Sequence, residues 1–168
     1  ENTAKIIARS LHGKLGAIYA AGRLLEAAAF RWRCQIEENA KNLAWHHVLP
    51  EMNHNELVGW DLPRDLLRQI VVVLLRDCAE PPGDRLRFDL TRDIVRDRCG
   101  VMHEVRSEGT SALARIFSLV YLGDFVSLYL ARLNAVDPVP IAVIDYLKAQ
   151  LRNRAARAPA QPTPEADP

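Results

Sequence analysis

The chain has 168 residues, the size of one domain, and its 49% hydrophobic and 26% charged residues are typical of a globular protein. The formal net charge is only +1, so the basic excess typical of nucleic-acid-binding proteins is missing and we expect no nucleic-acid partner. Apolar runs fall short of the ~18 residues of a membrane span, which predicts no membrane partner. Three cysteines without a C-x-x-C pair are typical of reduced thiols and predict a cytoplasmic protein.

Helical periodicity, β-branched runs and turn residues predict alternating helices and strands. In chain order these are a helix over 3–12, a strand over 15–20, a helix over 24–40, a short strand over 47–50, a turn into a short helix over 53–60, a strand over 70–75, a helix over 84–98, a strand over 101–105, and helices over 110–134 and 141–151. The strand over 70–75 is apolar on both faces, so helices must cover both sides of it.

This alternation predicts an α/β fold: an open, mainly parallel sheet of the flavodoxin-like type, with helices on both faces and additional C-terminal helices. Ligands of such sheets bind outside the carboxyl ends of the strands, which draws attention to the segments after Ala20, Pro50 and Val105. Residues 153–168 are rich in alanine and proline and predict a flexible tail.

Two adjacent carboxylates, Glu37 and Glu38, lie near the end of the helix predicted over 24–40. The helix dipole disfavours carboxylates at this end by ~0.3–1 kcal/mol. One interpretation is a pair of solvated acids that Arg33 and Lys41 neutralise. The other is a carboxylate kept there for chemistry, and the sequence pattern leaves both open.

A histidine, His54, lies in a polar segment with Asn53, Asn55 and Glu56 where a helix is expected to start. One interpretation is a polar turn residue, with Asn53 or Asn55 as the helix cap. The other is a histidine that transfers a proton near neutral pH.

Other chemistry is weakly supported. His46 and His47 are adjacent and would point to opposite faces of a strand, and no metal-ligand spacing occurs, so we expect no metal and no cofactor. Cys34 and Cys78 fall in apolar patterns typical of buried, inert thiols. The segment 109–111, Gly-Thr-Ser, is the nearest candidate for a phosphate loop, but such a segment more often only caps a helix.

Two strings resemble a known family. The run Glu-Asn-Ala-Lys at 38–41, and the string Pro-Glu-Met-Asn-His-Asn-Glu-Leu-Val-Gly-Trp at 50–60, resemble the C-terminal half of the bifunctional phosphoglucose/phosphomannose isomerases. Segments 121–127, 137–138 and 144–148 resemble that family's closing helices. The resemblance implies a sugar isomerase (SIS) domain over 1–152, the second of two in its parent protein, with the N-terminal SIS domain absent from this chain.

The resemblance also implies a reaction. The family interconverts glucose 6-phosphate or mannose 6-phosphate with fructose 6-phosphate through a cis-enediolate and without a metal. By similarity, Glu38 matches the general base that moves a proton between C1 and C2. His54 matches the ring-opening acid, which a homodimer partner contributes across the interface. Lys148 matches a lysine near the sugar ring, so His54 and Lys148 are also expected to bind substrate.

A second class of function stays open, because SIS domains also serve as non-catalytic phosphosugar-binding or dimerisation modules. The presence of both Glu38 and His54 favours the enzyme. The apolar density between Ile116 and Leu133 exceeds what one buried helix face needs, which predicts a homodimer. Without the N-terminal domain and its phosphate pocket, we expect the isolated chain to be inactive.

Overall fold

The computed structural model describes residues 2–155, apart from the side chain of Arg23. The elements in chain order are α1 (Thr3–Leu11), β1 (Leu15–Ala21), α2 (Gly22–Ala40), β2 (Ala44–Leu49), α3 (Glu51–His54), α4 (Glu56–Gly59), α5 (Arg64–Leu67), β3 (Ile70–Arg76), α6 (Pro82–Val95), β4 (Val101–Arg106), α7 (Ala112–Leu133) and α8 (Ala142–Ala155). The chain divides into two compact units, Glu1–Pro138 and Val139–Pro168, and α8 belongs to the second.

The first unit is built on one sheet. Its strand order is β2-β1-β3-β4, and all three strand pairs are parallel. β3 is buried along its whole length, because its β-branched and aliphatic residues face helices on both sides. The predicted open, parallel α/β fold with additional C-terminal helices is thus confirmed.

Alternate residues of the strands enter two separate cores. On one face, residues such as Ile18 and Val73 pack against α1, α2 and α7. On the other face, residues such as Tyr19 and Val72 pack against α3 and α6. The helices that carry the candidate residues 38 and 54 therefore lie on opposite faces of the sheet.

Close packing between α2 and α7 depends on Gly123. A Cβ atom at this position would lie 2.4 Å from Trp32 Nε1, so only glycine admits the indole. Trp32 Nε1 donates a hydrogen bond to the main-chain oxygen of Leu119 at 2.8 Å. Nearer the end of α2, Asn39 Nδ2 donates to Ser127 Oγ at 2.9 Å. These contacts fix the C-terminal part of α2 on α7.

The other side of α7 carries an apolar row that we call the α7 stripe, made of Leu113, Phe117, Tyr121 and Phe125. Between 37% and 67% of each of these residues is exposed. The four residues are spaced at i, i+4, so they form one continuous surface along the helix. The high apolar content between residues 116 and 133 therefore serves two faces of α7, only one of which is buried in the core.

The sequence predicted no membrane-spanning segment, but α7 is long and apolar enough to be a candidate. It has 22 residues and a mean hydropathy of 1.5 over its most apolar 18-residue window, enough by length and composition alone. The sequence expectation missed it because Asp124 and Arg132 interrupt the apolar run without ending the helix. Buried core helices pass the same test, and the inner face of α7 lies in the core with α1 and α2.

Several elements differ from the expectations in their bounds, and one was not expected. β2 begins at Ala44, earlier than expected, because the adjacent His46 and His47 interrupt the apolar pattern that marks a buried strand. The four-residue helix α5 was not expected, since one helical turn is too short to show periodicity. α8 continues to Ala155, so residues 153–155 of the expected tail are helical, and residues 156–168 lie outside the described residues.

Candidate active site

His54 lies in a loop that follows the carboxyl end of β2, as the fold predicts for a ligand-binding segment. We call residues 50–60 the His54 loop; it contains α3 and α4. His54 is the last residue of α3 and does not start a helix as expected, because two short helices meet at Asn55. Its side chain is exposed and makes no hydrogen bond or ion pair with any side chain that the structure describes.

Glu56 holds this loop on the sheet. Its carboxylate accepts hydrogen bonds from Tyr19 Oη and from Trp45 Nε1, the latter at 2.8 Å. His47 Nδ1 lies 2.7 Å from the second carboxylate oxygen and is the donor, because a carboxylate oxygen can only accept. We call Tyr19, Trp45, His47 and Glu56 the Glu56 cluster. Its donors come from β1 and β2, so it fixes the loop to both strands.

The Tyr19 hydroxyl links the Glu56 cluster to the far end of the loop. It accepts a hydrogen bond from Trp60 Nε1 at 3.0 Å while it donates to Glu56. Burial, followed by the negative charge of Glu56, raises the pKa of Tyr19 well above its ordinary value. The hydroxyl therefore keeps its proton and stays a donor to the carboxylate.

The remaining polar side chains of the loop are also engaged, and of these Asn53 reaches outside the loop. Asn53 Nδ2 donates to Thr91 Oγ1 on α6 at 2.8 Å. Asn55 Oδ1 accepts from the main-chain nitrogen of Glu56 at 2.5 Å, so of the two expected caps Asn55 is the one observed. Glu51 Oε1 accepts from Asn55 Nδ2 at 3.2 Å. Within the described structure, His54 is thus the polar side chain of the loop left for an outside partner.

Glu38 lies at the C-terminal end of α2 with its side chain exposed. Its carboxylate makes no hydrogen bond or ion pair within the described part of the chain, whereas Glu37 lies 3.7 Å from Arg33. Lys41 Nζ donates to the main-chain oxygen of Glu38 at 2.5 Å instead of to its carboxylate. The expected pairing is therefore found for Glu37, whereas Glu38 is a solvated acid whose carboxylate lacks the expected contact with Lys41.

The topology separates Glu38 from His54 of the same chain. β1 and β2 are parallel, so α2 must return from the carboxyl edge of the sheet to its amino edge, where Glu38 lies. His54 lies past the carboxyl end of β2, a strand of six residues. At ~3.3 Å per residue, such a strand is about 20 Å long. One chain thus does not bring these two side chains together.

Lys148 lies on α8 in the second compact unit, and its side chain is exposed. Its expected position near a sugar ring rests on the family resemblance and stays a prediction.

The carboxyl ends of β1 and β3 flank an acidic cavity of about 280 Å³. This is the point where the strand order reverses, the usual ligand position in such sheets. The lining includes Asp77, Glu80 and Asp84. Burial alone would raise the pKa of Asp77, but hydrogen bonds from Ala79 and Ser107 and the charge of Arg115 hold it below its ordinary value. Asp77 is paired with Arg115 and Glu80 with Arg76, and the lining that the structure describes includes no basic side chain to bind a phosphate.

The other candidates have structural roles. Ser111 Oγ accepts from the main-chain nitrogen of Ala114 at 3.1 Å, so the segment 109–111 caps α7, the commoner of its two interpretations.

Cys34 is half-buried, but Cys78 is exposed, because it lies in the turn after β3. The expectation of a buried thiol was therefore wrong for Cys78.

His46 and His47 point to opposite faces of β2, as predicted. The His46 ring meets the edge of Phe30, with 5.6 Å between ring centroids, and His47 reaches Glu56. The described residues between 2 and 155 contain no group of three or more histidine, cysteine or acidic side chains placed to hold a metal.

The Glu56 cluster is the part of the site that sequence reasoning missed. Trp45 and His47 are two residues apart on β2 and so share one face of the strand. The two-residue spacing of Trp45 and His47, together with the acidic residue at 56, was the signal in the sequence that could have revealed the cluster. The contribution of Tyr19 comes from another strand and leaves no local pattern.

Together, the parallel four-stranded sheet, the exposed histidine after β2 and the free carboxylate at the end of α2 define an α/β domain of the sugar isomerase (SIS) type. Residues 1–151 match the family model of the bacterial phospho-glucose isomerase C-terminal SIS domain, and the chain belongs to this family. The match ends one residue before the boundary that the sequence predicted.

The curated relatives carry the same family name as the resemblance. The chain is 42% identical over 151 residues to the bifunctional phosphoglucose/phosphomannose isomerase of Caldicellulosiruptor bescii, and 39% identical over 151 residues to that of Aquifex aeolicus. Both matches cover 90% of this chain but only 44% and 47% of the relatives. The chain thus spans less than half the length of these relatives.

A solved structure agrees with the fold. The crystal structure of a glucose-6-phosphate isomerase like protein from Thermus thermophilus is similar to this chain with a TM-score of 0.71 and 26% sequence identity. The similarity covers 86% of this chain and 48% of that chain. The family resemblance and the SIS fold predicted from the sequence are confirmed.

Proposed function

We propose that this domain is the C-terminal half of an aldose–ketose isomerase that interconverts glucose 6-phosphate, mannose 6-phosphate or both with fructose 6-phosphate. The observation that carries the proposal is the His54 loop, in which every other polar side chain is engaged and His54 is left exposed. The names of the relatives, bifunctional phosphoglucose/phosphomannose isomerases, support the substrate class.

In the proposed mechanism, Glu38 is the general base. Its exposed carboxylate has no partner among the described residues, so it is available to accept a proton from the carbon next to the carbonyl. Removal of that proton gives a planar cis-enediolate, in which the stereochemistry at C2 is lost. Return of the proton to C1 or C2 then completes the interconversion, and one base serves both C2 epimers.

His54 is the proposed acid that opens the sugar ring, because an imidazole can donate a proton to the ring oxygen near neutral pH. Lys148 is proposed to bind the sugar through its compact ammonium group. The exposed position of both side chains is compatible with substrate contact. No metal or other cofactor is needed for this proton transfer.

We further propose that each site combines Glu38 of one subunit with His54 of the partner subunit. The placement of these residues at opposite edges of one sheet supports this, since a single chain cannot present both to one sugar. A two-fold dimer would form two such sites, each completed by the other subunit. The α7 stripe supplies apolar surface for self-association.

The phosphate group is proposed to bind to an N-terminal SIS domain of the same, longer, cytoplasmic protein. The lining of the cavity at the carboxyl ends of β1 and β3 supports this, because its described residues include no basic side chain to bind a phosphate. Relatives about twice as long as this chain have room for such a domain. The isolated domain would then lack the binding energy that orients the reacting carbons, and would be inactive.

The test is an assay of the domain joined to its N-terminal half, with each of the three sugar phosphates in D₂O. The proposal expects turnover with deuterium appearing at C1 or C2. Phosphosugar binding with neither turnover nor exchange would overturn it and favour the alternative, a non-catalytic phosphosugar-binding or dimerisation module.

A further inference from the structure

We propose that Glu56 is a positioning residue for His54: by holding the His54 loop on β1 and β2, its carboxylate fixes the place from which the imidazole reaches the substrate. This inference rests on the proposed function, in which His54 is the acid.

The convergence of donors on one carboxylate is the first support. Tyr19, Trp45 and His47 all donate to Glu56, and they occupy separate positions on two paired strands. Tyr19 and His47 are register partners across β1 and β2. A carboxylate held by donors from both strands has a defined position relative to the sheet. This also restricts the position of the main chain at Glu56.

The short path from Glu56 to His54 is the second support. Only Asn55 separates them, and its side chain accepts from the Glu56 nitrogen at 2.5 Å. α3 and α4 have four residues each, too few to be stable helices without tertiary contacts. The direction of the His54 side chain therefore depends on the anchors on either side of it: Asn53, which donates to Thr91 of α6, and Glu56, which ties the loop to β1 and β2.

The expected effect follows from the geometry that proton transfer needs. A displacement of about 1 Å in a catalytic group can lower the rate ~100-fold. We expect Glu56→Ala to lower kcat ~10- to 100-fold with little change in KM, because the phosphate site lies elsewhere. Glu56→Gln keeps one oxygen for Tyr19 and Trp45, and should restore part of kcat.

The decisive measurement is a double-mutant cycle in the full-length protein. If Glu56 acts through His54, the double variant Glu56→Ala/His54→Ala has the same kcat as His54→Ala alone. A purely structural role would make the two losses multiply. Glu51→Ala is the matched control, since Glu51 is an exposed acid of the same loop, and it should leave kcat unchanged.

A second measurement does not depend on activity. In the 168-residue chain, hydrogen exchange of the loop amides and the NMR signals of the His54 ring should change in Glu56→Ala and not in Glu51→Ala. If Glu56→Ala fails to fold, Trp45→Phe removes one donor to Glu56 and keeps an aromatic ring. It should show the same changes to a smaller extent, and unchanged exchange and kcat in this variant would overturn the proposal.

The outcomes separate this inference from the function on which it rests. Unchanged turnover in His54→Ala would refute the acid assignment, whatever Glu56 does. Lost turnover in His54→Ala, together with full turnover in Glu56→Ala or with multiplying losses, would refute the positioning role and leave the proposed function standing.

Discussion

Glu38 and His54 are sixteen residues apart in the sequence, yet they lie at opposite edges of one sheet with the length of β2 between them. This separation leads to a complementation experiment. Mixing full-length Glu38→Gln and His54→Ala chains, each with only residual activity, should restore activity after subunit exchange. One site of the heterodimer then has both groups intact and the other has both lesions, so activity reaches at most about half per dimer.

Complementation has its own control. Mixing Glu38→Gln with a second base-deficient variant, Glu38→Ala, should restore nothing, because every site then lacks the base. If subunit exchange is confirmed by native mass spectrometry and activity stays absent in the first mixture, His54 serves its own chain or is not the acid.

The base assignment predicts different results for two neighbouring carboxylates. Glu38→Gln should lower kcat by at least ~1000-fold and leave phosphosugar affinity nearly unchanged, because the amide keeps the shape but cannot accept the proton. Glu37→Gln is the matched control: Glu37 is paired with Arg33, and its loss should leave kcat near the wild-type value. Equal effects in the two variants would contradict the assignment.

The α7 stripe predicts self-association of the 168-residue chain. Sedimentation at micromolar concentration should show a dimer of the 18.9 kDa chain. Phe117→Glu and Tyr121→Glu should shift it to monomer, because each places a charge in the apolar surface. Leu86→Glu on α6, which is 60% exposed, is the control and should stay dimeric. A wild-type chain that sediments only as a monomer would count against the homodimer.

The contact between Trp32 and Gly123 predicts a stability effect. Gly123→Ala should destabilise the domain by about 1–3 kcal/mol, because the added methyl group overlaps the buried indole. Gly83→Ala, also in a helix but with no atom within 4 Å of the added Cβ, should be neutral or stabilise by about 0.5–1 kcal/mol. Urea unfolding of both variants measures the difference, and equal stabilities would show that α7 shifts to accommodate the methyl group.

Two histidines predict how stability depends on pH. Burial lowers the pKa of His103, whose Nε2 lies 2.9 Å from Ser10 Oγ, and burial together with the charge of Arg33 lowers the pKa of His46. The unfolded chain then binds more protons than the folded one as the pH falls below ~6.5. Their contribution to stability is thus full above this pH and is lost as the pH falls through the lowered values.

Urea unfolding at pH values of about 7.5 and about 5.5, on either side of the ordinary histidine pKa, measures this loss. His103→Gln and His46→Gln should each make the difference between the two pH values smaller than in the wild-type chain. An unchanged difference in both variants would assign the pH dependence to other groups.

Whether a feature could be predicted from the sequence depends on whether residues close together in the chain determine it. β1 and β3 were predictable, because apolar residues on both faces have few uses other than a buried parallel strand. The start of β2 was not, since the adjacent His46 and His47 interrupt the apolar pattern that marks a buried strand. The family resemblance identified Glu38 and His54, whereas their placement at opposite edges needed the direction of β2 relative to β1.

The Glu56 cluster also could not be predicted from local sequence. Its members at 19, 45, 47 and 56 meet because β1 and β2 pair in one register, in which Tyr19 faces His47. A shift of that register by one residue would turn every side chain of β2 to the other face. No window of the sequence contains this information, because it is a property of the assembled sheet.

The construction of the His54 loop has a consequence for how related proteins should be classified. Glu56, Asn53 and Trp60 anchor the loop through contacts that do not involve the imidazole. A descendant that replaced His54 would lose none of these anchors and would retain nearly the whole string from 50 to 60. Under the proposed mechanism, overall similarity across this string therefore cannot separate active from inactive descendants, and the residue at position 54 is the one to compare.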